Sequence, residues 1–187
     1  PAYNQIRMSD KLSPGKNDIS LAEWALVDEF REGKWKNLDF PRIAREDFNL
    51  NGIEFVNTLF EVPTLEYLKT LKQRAADQGV SMLLIMVDDE GDGCGATKEE
   101  RRQFVVSHQK WVDIAHFLGC HAIRTNCRGS RQVNKQEALK WAAESYNMLL
   151  EYSRSAAIFI LIEKHGGVSD DADWMLTLMK EVNDPGF

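Results

Sequence analysis

The stretch "AIFILIEKHGG", residues 157–167, decides the fold. Ile158 to Ile162 form an unbroken apolar run, and Glu163, Lys164 and His165 follow at once, ahead of two glycines. A run this short, bounded by polar residues and glycine, reads as a strand covered on both faces, which is the kind a parallel sheet requires. It also ends on a carboxylate and an imidazole two positions apart, so the pair points to one side of the sheet.

Working outward, four more segments share this character: "ISLAEWAL" (Ile19 to Leu26), "GIEFVN" (Gly52 to Asn57), "SMLLIMVD" (Ser81 to Asp88) and "HAIRTNC" (His121 to Cys127). Segments of helical period separate them. "PTLEYLKTLKQRAADQG" starts at Pro63, repeats Leu65, Leu68, Leu71 and Ala75 on one face and stops at Gly79, the asymmetry of proline at a helix start and glycine past its end. "TKEERRQFVVSHQKWVDIAHFLG" places Thr97 and Glu100 at capping-box spacing and ends on Gly119. "NKQEALKWAAESYNMLLEYS" opens with the related pair Asn134 and Glu137, and "SDDADWMLTLMKEV" collects Ser169, Asp170, Asp171 and Asp173 where a helix N-terminus favours acceptors and negative charge.

Strand alternating with helix predicts a parallel α/β sheet, either doubly wound or closed into a barrel. Successive strands lie roughly 30 to 40 residues apart, the length of one unit of a (β/α)8 TIM barrel. Neither GxGxxG nor GxxxxGK[ST] occurs, so no phosphate-loop architecture is indicated. The expectation is therefore an incomplete barrel of about five βα units: a polar lead-in over residues 1–18, then residues 19–187 as the N-terminal part of a single TIM-barrel domain. The remaining strands would come from sequence beyond Phe187 or from another chain. The start at Pro1, with the first methionine at Met8, leaves room for loss of an N-terminal segment.

Composition sets bounds on function. The 187 residues are 43% hydrophobic and carry a net charge of -6 with a pI near 5.3; this suits a globular domain and argues against nucleic acid or an anionic membrane surface as partner. No apolar run reaches bilayer length, and the opening "PAYNQIRMSDKLSPGKND" is no signal peptide. The expected compartment is the cytoplasm, or the periplasm or exterior after removal of a leader. Cys94, Cys120 and Cys127 are odd in number and lack CxxC spacing, which argues against a disulfide framework or a structural zinc site.

Barrel enzymes work at the C-terminal ends of their strands, where this sequence places Asn57, Asp88, Asn126, Arg128, Glu163 and His165. Glu163 ends an apolar strand, so its charge needs an ion-pair partner, with Lys164 or Arg124 as candidates, or a bound cation. His165 shares its face. Arg124 and Asn126 share a face of the fourth strand and suit hydroxyl or phosphate oxygens, or Arg124 is paired within the barrel, while Glu54 is either a partner for Arg124 or a substrate contact. His108 and His116 read as packing or surface residues and His121 as a bottom-face residue. Gly166 and Gly167 read as a turn. "DDEGDGCG" (Asp88 to Gly95) lacks the twelfth-position Glu of a calcium loop and reads as an active-site or solvated loop.

With these residues in view, "ISLAEWAL", "LDFPRIAREDFNLNGIEFVN", "LLIMVDDEG", "KWVDIAHFLGCHAIRTNCRG" and "IEKHGG…DWMLTLMKEVNDPGF" resemble the sugar phosphate isomerase/epimerase group of the xylose isomerase-like TIM barrels, from Ile19 to Phe187. The resemblance implies a divalent metal ion, Mn, Mg, Zn or Co, with Glu163 as its first ligand and as an acid/base. The Asp, His and second Glu that complete the metal site would lie on later strands, and His165 would face the substrate. The family's usual Asn is replaced by Lys164. The implied partner is a small sugar or sugar phosphate, isomerised or epimerised beside a carbonyl, in a protein that could form homo-oligomers. A keto-inositol dehydratase on the same barrel and a noncatalytic carbohydrate-binding barrel or fragment are the alternatives; an apurinic endonuclease would need more strand-end histidines.

Overall fold

The computed structural model describes residues 19–130 and 132–187; the polar lead-in lies outside the described residues. Five strands, β1 (Leu21–Ala22), β2 (Gly52–Val56), β3 (Ser81–Met86), β4 (Ala122–Asn126) and β5 (Phe159–Glu163), pair in sequence order, and every pairing is parallel. The order and direction are those of the first five strands of a (β/α)8 barrel. One register shift interrupts the β2–β3 ladder between Ile53 and Glu54.

The first strand is shorter than the apolar pattern predicts. Ile19 to Leu26 was expected to be extended throughout, yet only Leu21–Ala22 pairs with β2, and the chain then winds into a 3-10 helix, Glu23–Leu26, and a short helix, α1 (Val27–Arg31). Glu23 supplies the reason. Its side chain is fully buried, with Oε1 accepting from Asn37 Nδ2 at 2.7 Å and Oε2 accepting from the Val56 backbone N–H at 2.7 Å. A β2 amide that a longer first strand would have to satisfy is thus met by a side chain. Burial pushes the Glu23 carboxyl up to about 8, against the pull of its two hydrogen bonds.

A helix α2 (Phe40–Glu46), where the pattern assigned no element, opens on Pro41. The other helices are α3 (Leu65–Gln78), α4 (Lys98–Leu118), α5 (Lys135–Ala156) and α6 (Ala172–Val182). Their ends follow the caps expected. Thr64 Oγ1 accepts from Tyr67 N before α3, and Thr97 and Glu100 close a reciprocal capping box on α4. Gly79 and Gly119 end α3 and α4 in the left-handed region at φ 64° and 88°. Asn134 caps α5 and Asp171 caps α6, while Ser169 and Asp170 lie in a separate 3-10 turn.

Alternation along the strands assigns the two faces. Ile53, Phe55, Ile123 and Thr125 are wholly buried, and Phe55 joins an edge-to-face series with Phe40 and Phe60 that continues to Trp111 of α4. That side is the core under the helices. Glu54, Arg124 and Asn126 alternate with these residues and therefore lie on the opposite, inner side. His108 is buried in the helix layer, with Nδ1 2.7 Å from Phe104 O; burial pushes its pKa down to about 4. It is a packing residue, as expected.

Candidate functional site

Register brings the polar residues of three strands to one level. Met86 of β3 pairs with Arg124 of β4, and Asn126 pairs with Glu163 of β5; Asp88, two residues beyond Met86, stands level with both. Arg124 organises the group. Its Nη1 donates to Asp88 Oδ1 at 2.8 Å and to Asn126 Oδ1 at 2.9 Å, and its Nε lies 2.8 Å from Glu163 Oε2. Asn126 Nδ2 donates to Asp88 Oδ1 at 2.6 Å.

Asp88 is held on every side. Trp24 Nε1 donates to its Oδ2 at 3.1 Å, and Asn57 bonds its backbone twice, as donor to the carbonyl and acceptor from the N–H. Partial burial pushes the Asp88 carboxyl up, but the hydrogen bond and charge of Arg124, with the bonds from Asn126 and Trp24, outweigh it and hold the carboxyl below the ordinary carboxylate range. Asp88 is therefore an anionic fixture for the Arg124 guanidinium, whose side chain is only 9% exposed.

Glu163 is placed differently. Its side chain is 41% exposed, and although Oε2 is taken by Arg124, Oε1 faces His165 Nδ1 at 3.6 Å. His165 follows a strand that ends at Glu163, and the turn after it fixes its backbone: His165 N donates to Ser169 Oγ, which donates to Gly166 O. Gly167 has φ 64°, and a Cβ there would fall 1.9 Å from the Arg128 carbonyl oxygen, which accepts from Val168 N. The two glycines make the expected turn, and Gly167 lets the β5 loop lie against the β4 loop. A cavity of about 470 Å³ opens over this end of the sheet, lined by Trp24, Asp88, Asp92, Asn126, Arg128 and His165 among others.

Of the residues named from sequence, Arg124, Asn126, Glu163 and His165 are brought together. Glu54 is placed apart, level with Leu84 and Ala122 and so two layers of side chains beneath Asn126; it accepts from Ser20 Oγ at 2.5 Å rather than pairing with Arg124. The sequence marks Asp88 only as a strand-end residue and places Trp24 within a strand. A carboxylate one position past an apolar strand was a signal for the first; nothing in the sequence pointed to the second. In the "DDEGDGCG" loop, Asp92 accepts from the Arg128 and Gly129 amides and so joins the β3 loop to the β4 loop.

Parallel βα units in sequence order, with charged and amide side chains gathered at the C-terminal ends of the strands, define a protein of the TIM-barrel class. Residues 43–187 match the family model described as xylose isomerase-like TIM barrel, and the chain belongs to that family. Solved structures agree. The chain is similar to the probable 3-DHS dehydratase AsbF involved in petrobactin synthesis from Bacillus anthracis (TM-score 0.71, 20% identity, 91% of this chain and 61% of that one). It is similar to the IOLI protein with a bound zinc atom (TM-score 0.69, 13% identity, 90% and 60%). A sugar phosphate isomerase/epimerase from Parabacteroides distasonis is a third (TM-score 0.61, 16% identity, 100% and 67%). At these identities the likeness is one of fold, and the chain spans about three fifths of the first of these structures. No curated protein matches the chain in sequence. Among the described residues no helix is long and apolar enough to cross a membrane.

Proposed function

We propose that the protein is a metal-dependent isomerase or epimerase acting on a sugar or sugar phosphate by proton transfer next to a carbonyl, and that this chain contributes its first metal ligand and part of its substrate cradle. The observation that carries this reading is the divided commitment of the Glu163 carboxylate: one oxygen anchored on Arg124 at 2.8 Å, the other turned to His165, whose side chain lines the cavity.

A carboxylate oxygen suits the coordination shell of Mn, Mg, Zn or Co. Glu163 Oε1 would hold the ion, with the other ligands supplied from outside this chain. Held there, such an ion would supply Lewis-acid polarisation of the substrate's carbonyl and hydroxyl oxygens. Glu163 is the group positioned to exchange a proton at the neighbouring carbon, and Arg124 fixes its orientation. Asn126 and His165 hydrogen-bond substrate hydroxyl or phosphate oxygens, and Glu54 is a further contact deeper along the inner face.

The resemblance of fold to a probable dehydratase supports a second reading, a lyase acting on a keto-inositol or similar cyclic ketone. Both begin with the same proton removal and differ in whether a hydroxyl is then lost. The full-length protein, loaded with divalent metal in D2O, would be given ketoses, aldoses, their phosphates and cyclic ketones, and followed by NMR. Deuterium uptake beside the carbonyl with interconversion of isomers supports the isomerase or epimerase. Loss of water to an unsaturated ketone makes it a dehydratase, and binding without exchange or turnover makes it a carbohydrate-binding barrel; either overturns the first reading.

A further inference from the structure

Sequence spacing gave the cysteines no role, but the fold brings two of them together. Cys94, in the loop after β3, and Cys127, at the end of β4, are both buried, and their Sγ atoms are 2.7 Å apart. Both thiols are free. We propose that Cys94 and Cys127 are a disulfide-forming pair whose oxidation ties the β3 loop to the end of β4 at the rim of the candidate site.

The surroundings hold the pair in place. Asp92 Oδ1 accepts from Cys94 N at 2.8 Å, and its Oδ2 accepts from Arg128 N and Gly129 N at 3.1 and 2.9 Å, so one carboxylate aligns the backbones on which the two thiols sit. Between Asp92 and Cys94, a Cβ on Gly93 would meet the Tyr146 ring at 3.0 Å, so the loop is pressed against a wholly buried side chain. A bonded sulfur pair lies at about 2.0 Å, less than an ångström of further approach. A metal shared by the two thiols and Asp92 is the competing use of the cluster. Two thiolates on one tetrahedral zinc stand about 3.8 Å apart, given Zn–S bonds of about 2.3 Å, and every Asp92 oxygen is already bonded to backbone amides. The spacing suits a disulfide.

The oxidant is a low-molecular-weight disulfide. Cys94, the less buried of the two, loses its proton when the loop opens, and its thiolate attacks one sulfur of the small disulfide, expelling one small thiol. Cys127 then gives up its proton and attacks Cys94 Sγ in the mixed disulfide, expelling the second. The protein dithiol loses two electrons and the small disulfide becomes two thiols. The bond joins a loop bearing Asp88, Asp89 and Asp92 to a strand end bearing Asn126 and Arg128, all on the cavity wall, so oxidation stiffens the rim on which the proposed substrate site depends.

The test exposes the full-length protein, folded, to oxidised glutathione, alkylates the remaining thiols in denaturant, and digests with trypsin. The expected product is peptide 75–98 joined to peptide 125–128, about 2 Da lighter than their sum, with Cys120 alkylated in peptide 111–124. Cys120→Ser should still form it; Cys94→Ser and Cys127→Ser should not. Oxidation should raise the melting midpoint of the wild type by roughly 5–10 °C. The proposal is overturned if all three cysteines are alkylated, if Cys120 is cross-linked, or if the bond appears only after unfolding. It is also overturned if zinc binds tightly to the wild type, is lost from Cys94→Ser and Cys127→Ser, and blocks oxidation.

Discussion

Arg124 and Glu163 meet across adjacent strands at 2.8 Å, and the guanidinium that holds one carboxylate oxygen also holds Asp88 at 2.8 Å on its other side. One buried cation thus serves two anions of different exposure: Asp88, 13% exposed and hydrogen-bonded through both carboxylate oxygens, and Glu163, 41% exposed. This division of labour, in which Asp88 offsets the Arg124 charge while Glu163 keeps an oxygen for other use, is what the first prediction tests.

Asp88→Ala should destabilise the protein by about 2–4 kcal/mol, because it leaves the buried Arg124 without the less exposed of its two anionic partners. Glu163→Ala should cost about 1 kcal/mol or less, its side chain being far more exposed. Denaturant unfolding of both variants measures this through the midpoints at constant m-value. Equal costs would refute the unequal roles.

Glu23 makes stability depend on pH. Its folded-state carboxyl is raised to about 8 from an ordinary 4.5, so its contribution is fully present below the unfolded value and is lost as pH rises toward 8, with a slope approaching about 1.4 kcal/mol per pH unit. In Glu23→Gln, which can keep both bonds if Asn37 turns its amide over, the stability curve between pH 5 and 8 should be flatter than in the wild type. Parallel curves would contradict the burial-driven shift.

The strand order and helix caps were legible because they depend on local chemistry: apolar runs of strand length, Thr97 with Glu100, glycines at helix ends. The short β1 was not, since the residues of "ISLAEWAL" are compatible with a strand and only the distant donors Asn37 and Val56 draw Glu23 out of the ladder. At the site, Glu163, His165, Arg124 and Asn126 could be found by position at strand ends and by alternation. Trp24, the Asp92 staple and the Cys94–Cys127 approach arise from loops meeting across 30 or more residues, and no local pattern encodes them.

Gly167 and Gly79 share φ 64°, but only Gly167 has backbone within reach of a Cβ. Gly79→Ala should therefore cost about 1 kcal/mol of left-handed strain, and Gly167→Ala about 3 kcal/mol or more, because the β5 loop must separate from Arg128. The difference is read from thermal or denaturant midpoints of the two variants. Similar costs would show that the loops are not in the close contact described.

His165→Asn should leave metal content unchanged and lower kcat/KM by about 100-fold, in the range of a single positioned polar group. Elemental analysis and steady-state kinetics of the full-length variant decide it. A variant that lost metal would move His165 from substrate contact to ligand.

The central claim, that Glu163 is a metal ligand rather than half of a structural ion pair, is tested most directly by the divalent metal content of purified full-length Glu163→Gln. The substitution preserves shape and removes charge, so folding by circular dichroism should be unchanged. Bound metal should fall to a small fraction of the wild-type stoichiometry, and turnover should fall by several orders of magnitude. A variant that folds normally and retains the wild-type metal content would contradict the claim and return Glu163 to its partnership with Arg124.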